Sequence, residues 1–124
     1  MIEAVEVAIE TADLGALSHL LTSQPELANA GAFPPLARLA VRPPKADSET
    51  LRRMAELLLA AGADPNDREA LYHACELADH AVMEAILASP RLEPAWLSYC
   101  LLRKLDFDDL DGARKMLDRG ADPN

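Results

Sequence analysis

Three side chains able to bind a transition metal or move a proton crowd into the stretch HACELADH, namely His73, Cys75 and His80. Imidazole and thiolate are ordinary zinc ligands, but a closed structural site needs four, and no second pair at matching spacing follows. Cys75 instead reads as a small core residue, because a buried thiol packs as a hydrophobe. The stretch DFDDLDG, Asp106 to Gly112, is rich enough in carboxylates to suggest calcium. A calcium loop of the EF-hand type wants an acid at its fifth position, glycine at its sixth and glutamate at its twelfth. Counted from Asp106 those positions hold Leu110, Asp111 and Leu117, so the pattern fails. Acids at a helix start, where they cap free N–H groups and oppose the dipole, account for the same run.

Nucleophilic chemistry has no better footing. Ser18, Ser23, Ser48, Ser89 and Ser98 lie in no G-x-S-x-G elbow, and the five glycines form no phosphate-cradling loop. The sequence therefore leads to no catalytic residues, no cofactor and no metal, and to a protein that is not an enzyme.

Composition narrows the remaining classes. Acids outnumber bases 21 to 12, for a net charge of −9. Such a field repels nucleic-acid phosphates and anionic lipid, so neither nucleic acid nor membrane is an expected partner. The start MIEAVEVAIE lacks the features of a secretory leader, and no apolar run reaches a membrane span. A cytoplasmic location with Cys75 and Cys100 reduced is the expectation.

The elements that must position any binding residues emerge from internal repetition. Leu21, Leu59, Leu87 and Leu117 occupy one register in HLLTSQPELAN, LLLAAGADPND, AILASPRLEPA and KMLDRGADPN, at intervals of 38, 28 and 30 residues. A second helical stretch precedes each, with apolar residues three and four apart. Its markers are Val5, Ala8 and Ile9; Leu36, Leu39 and Ala40; Leu71, Ala74 and Cys75; and Leu97, Cys100 and Leu101. Asp13, Asp47 or Ser48, and the run Asp106 to Asp109 supply starts for the second helices. Gly62 and Gly120 stand where a left-handed C-cap forms. The last helix, Leu110 to Arg119, is expected to turn Leu110, Ala113, Met116 and Leu117 to its apolar side.

LLLAAGADPN and DGARKMLDRGADPN, with the weaker PPLARLA and ALYHAC, resemble the ankyrin repeat family over nearly all 124 residues. The resemblance implies an all-α, ankyrin-type helical-repeat solenoid of about four helix-turn-helix units, forming a single domain over 1–124 with approximate units 1–29, 30–66, 67–94 and 95–124. The short links between units imply shortened or absent β-hairpin fingers. It also implies a protein-protein interaction module that binds a partner protein through its concave helical face. Carried over position by position, the partner-binding residues are Glu10 and Thr11, Val41 and Arg42, Glu76 and Leu77, and Leu102 and Arg103. Phe33 and Trp96 fall in the shortened turns, where exposed aromatics would serve as anchors, while Tyr99 is expected to pack inward. Two alternatives stay open: a small acidic inhibitor or immunity protein covering a partner enzyme's basic active site, and an enzyme with an unrecognised site. Because the last unit closes on the pentapeptide that usually hands over to another, a longer array or self-association through an uncapped C-terminal end is expected.

Overall fold

The computed structural model describes residues 1–124. The chain forms eight α-helices and no strand: α1 Ile2–Glu10, α2 Leu14–Ser23, α3 Pro35–Val41, α4 Ser48–Ala60, α5 Ala70–Ala74, α6 Ala81–Leu87, α7 Pro94–Asp106 and α8 Leu110–Arg119. A short 3₁₀ turn, Pro25–Asn29, follows α2, where Pro25 cannot continue the helix.

Local chemistry sets the boundaries. Asp13, Asp47 and Asp109 each accept a backbone N–H three residues on, from Ala16 at 3.0 Å, Thr50 at 2.8 Å and Gly112 at 2.8 Å. Each bond satisfies one of the donors a helix start leaves free. At the far ends of α4 and α8, Gly62 and Gly120 take φ of 114° and 118°. Around Gly62 the chain closes as a Schellman motif, with Gly62 N–H donating to Leu59 and Ala63 N–H to Leu58. The same pair of bonds ends α1, from Ala12 to Ile9 and from Asp13 to Ala8, but there the left-handed residue is Ala12, at φ 53°.

Consecutive helices pair, α1 with α2 and so on to α7 with α8. The odd-numbered helices contact one another in chain order, and so do the even-numbered ones, giving two rows. The core lies between the rows. Every first-helix apolar marker is buried: Val5, Ala8, Ile9, Leu36, Leu39, Ala40, Leu71, Ala74, Cys75, Leu97, Cys100 and Leu101.

Polar ties with one recurring geometry join successive pairs. Asn29 donates to the Gly62 carbonyl at 2.8 Å and accepts from Asp64 N–H at 3.0 Å. Asn66 repeats this with the Arg91 carbonyl at 2.9 Å and Glu93 N–H at 2.7 Å. Arg91 donates to the carbonyls of Leu59 and Ala63, and Arg119 donates to those of Leu87 and Ser89. In each case one pair's guanidinium caps the carbonyl end of the preceding pair's second helix, as the helix dipole favours.

One expectation needs correction here. Ala113 and Met116 are buried in α8 as anticipated, but Leu110 is 72% exposed and Leu117 43%. In the register of Leu117, Leu21 and Leu87 are buried and Leu59 is half-buried, each on a helix that contacts a following even-numbered helix, whereas α8 contacts α6 and α7.

The two left-handed caps make a paired prediction. A Cβ at Gly62 meets no atom within 4 Å, so Gly62→Val should lose stability through backbone strain alone, by about 1 to 2 kcal/mol. Ala12→Gly relieves the same strain and should gain up to about 1 kcal/mol. Urea midpoints decide both, and an unchanged midpoint for Gly62→Val would refute the assignment.

Candidate functional site

The expected binding residues fall at different places along the odd-numbered row. Glu10 and Thr11 end α1, Val41 and Arg42 end α3, and all four are exposed. Glu76 and Leu77 follow α5 and are half-buried. In α7, Arg103 is half-buried and Leu102 is exposed, lying on a neighbouring stripe with Ser98 and Leu105. Phe33 is exposed in the turn before α3, far along the chain from the other aromatics. Trp96 belongs to the first turn of α7 rather than to a link. Tyr99, expected inside, is 58% exposed and lies flat on Trp96, with ring centroids 5.3 Å apart and planes at 10°. The buried stripe of α7 runs through Leu97, Cys100, Leu101 and Lys104, which turns position 99 outward.

The structure thereby collects an aromatic strip that sequence reasoning did not assemble. Trp96, Tyr99, Arg103 and Phe107 succeed one another three or four residues apart along one side of α7. Tyr72 of α5 faces them. The Arg103 guanidinium lies 4.6 Å from the Tyr72 ring centroid and 5.0 Å from that of Phe107, within cation–π range of both. An open groove of about 660 Å³ separates Tyr72 and His73 from Trp96 and Tyr99, with Arg68 and Glu93 on its border.

A charged frame holds the strip. His73 is gripped through both ring nitrogens, by Glu76 and Glu69 at 2.8 Å each, and Glu76 also accepts from Arg103. Two carboxylates on one imidazole require both nitrogens to donate, which is the imidazolium form. The Glu76 hydrogen bond raises the His73 pKa above its usual value; burial opposes this and Glu69 adds to it. Glu76 is lowered in turn, by His73 first, against burial and with help from Arg103.

Beneath the strip lies a buried ion pair. Lys104 is wholly buried, and its ammonium donates to the carbonyls of Cys75 at 3.2 Å and Leu77 at 3.1 Å and to the Asp109 carboxylate at 2.7 Å. His80 Nε2 donates to the same carboxylate at 2.6 Å, while its Nδ1 accepts from Lys115 at 2.9 Å. Burial is the largest single influence on Asp109 and pushes its pKa up. The hydrogen bonds from Lys104, Gly112 and His80 outweigh it and hold the carboxyl well below the usual carboxylate range. Gly112 is required by space: a Cβ there would run into the Lys104 side chain. The sequence carried one signal for this, the placement of Lys104 three residues after Leu101, in phase with the buried stripe.

His73 and His80 thus serve separate ion-pair clusters, and Cys75 lies in the core with its thiol toward the Cys100 carbonyl at 3.7 Å. Burial pushes Cys75 up to about 11 and Cys100 up to about 12, so both stay protonated and unreactive at neutral pH. No three His, Cys, Asp or Glu side chains gather into a metal-binding cluster, and no helix is long and apolar enough to cross a membrane. Compared with protein families, with curated proteins and with solved structures, the chain matches none.

The charged frame and the buried pair predict separate responses. A raised folded-state pKa for His73 means stability that is complete below the unfolded value of about 6.5 and is lost as pH rises through the folded value. Stability should therefore fall as pH rises above about 6.5, and the fall should be smaller in His73→Gln, as denaturant midpoints will report. Lys104→Met strands Asp109 and two carbonyls and should cost about 3 to 5 kcal/mol; a loss under about 1 kcal/mol would contradict the burial of the pair.

Proposed function

We propose that this chain is an ankyrin-type solenoid of four helix-turn-helix units whose work is to bind another protein through the face made by its odd-numbered helices. The repeat reading is supported by the recurring ties of Asn29 and Asn66, and of Arg91 and Arg119, to the neighbouring helix pair. These ties fix the rows while leaving side chains at the helix ends free to carry recognition. The single observation that carries the binding reading is the outward-facing aromatic and arginine strip. Trp, Tyr and Arg are the residues most enriched among interface hot spots, and a chain with only five aromatics places four of them together here.

Charge reversal on the two rows tests the reading. A bait with Glu10→Lys and Arg42→Glu alters exposed ends of α1 and α3; a control with Arg114→Glu and Asp118→Arg alters the exposed side of α8. Surface changes of this kind move stability by only about 0.5 kcal/mol. Capture of a partner from the source cell should survive the control and weaken at least several-fold in the first variant. Loss in the control alone would place binding on the other row and overturn the proposal.

A further inference from the structure

We propose that the groove between α5 and α7 binds an extended peptide segment bearing arginine or lysine, with a cationic side chain laid on the exposed face of Tyr99. This rests on the reading of the odd-helix face as the binding face and names the chemistry of what it binds. Three observations carry it.

The strip already holds a guanidinium. Arg103 lies over Tyr72 and Phe107 within the chain's own fold, so the ring faces on the inner side of the strip are occupied by a cation. Tyr99, braced from behind by Trp96, offers the same kind of electron-rich face to solvent. A second cation meets there a surface with the same preference.

The unpaired charge around the strip is acidic. His73 and Arg103 are balanced by Glu69 and Glu76. Glu93 lines the groove, and Asp106 and Asp108 lie beside Phe107 at the far end of the strip; none of the three makes an ion pair, and Arg68 is the one unpaired cation on the groove. The chain as a whole carries −9, which draws in a basic segment at long range as well as holding it at short range.

The groove is also open along its course between two helices, and its border side chains, Arg68 and Glu93, are exposed. Such a site suits a chain in extended form better than an enclosed small molecule.

Trp96 is the only tryptophan, so its emission reports directly on the groove. The folded protein is titrated with a short peptide of repeating Arg-Gly-Ser, with the same peptide carrying Gln for Arg, and with oligoproline. The expected result is a saturable change with the arginine peptide and none with the glutamine peptide. Binding should weaken several-fold as salt rises from about 50 to 500 mM, because screening shortens the field to a few Å. Tyr99→Ala should weaken binding about tenfold or more, the usual size of a hot-spot loss. Glu93→Gln should weaken it less, and Arg68→Ala should strengthen it. Each variant is first shown to keep the wild-type unfolding midpoint. Equal response to arginine and glutamine peptides, or binding unaffected by Tyr99→Ala, overturns the inference. Response to oligoproline alone overturns the cationic chemistry and leaves the binding face standing. Silence toward all three peptides, with capture still lost on charge reversal at Glu10 and Arg42, overturns the groove while sparing the wider proposal.

Discussion

A buried ammonium organises the half of the molecule that carries the candidate site. Lys104 reaches inward to two carbonyls just past the end of α5 and to the carboxylate that caps α8. The end of α5 bears the negative pole of its dipole, and a cation is what that end accepts. Asp109 then serves three donors at once, the Lys104 ammonium, the His80 ring and the Gly112 backbone. Removing either charge would leave the other desolvated, so α5, α7 and α8 hold one relative placement. Because position 104 is turned inward, Arg103 is turned toward Glu76 and Tyr72, and Tyr99, five residues earlier, toward solvent. The exposed side of α7 is set by what happens underneath it.

The links between helix pairs work by the same economy. A short link cannot form a ladder of its own, and its backbone groups need partners. Asn29 and Asn66 each supply an acceptor and a donor to the next pair's loop, so one side chain satisfies two backbone groups across the boundary. Arg91 and Arg119 satisfy the carbonyls at the ends of α4 and α6 in a similar way. Where the asparagine register passes to Pro94, the Ser98 hydroxyl takes over, accepting from Asp122 N–H at 2.8 Å. Tight loops are therefore compatible with an ordered row of helices.

What could be read from the sequence follows from the range of each interaction. Helix caps and apolar stripes depend on residues within a turn or two, and Asp13, Asp47, Asp109, Gly62 and the first-helix core all lie where local rules put them. Ala12 escaped those rules because glycine is the residue they favour for a left-handed cap, and the chain tolerates the strain of a Cβ there. Lys104 escaped them because a lysine normally reads as surface, and its carbonyl partners lie 29 and 27 residues away in sequence. Tyr99 was misjudged for a related reason: an aromatic beside a cysteine invites an inward reading, but a helix has one buried stripe, and Cys100 and Lys104 had taken it. Leu110 and Leu117 show the limit from the other side. Hydrophobic spacing says which side of a helix is apolar, and only the packing of a further element decides whether that side is covered.

The distribution of aromatics also sets them apart from the core that stabilises the fold. Phe, Tyr and Trp bury more area per side chain than any aliphatic residue, and a small domain short of core would ordinarily spend them inside. Here the fully buried core is built of Ala, Leu, Ile, Val, Met and Cys, and none of the five aromatic residues belongs to it. Tyr72 and Trp96 only rest against it from one side. Small residues allow helices to approach closely enough for Asn and Arg to bridge between pairs, which large rings would prevent. The fold therefore holds together by close packing and polar ties and leaves its rings at the surface. Tyr72, Trp96, Tyr99 and Phe107 add little to the core they border, and their common position on one strip follows from the periods of α5 and α7 rather than from any need of folding.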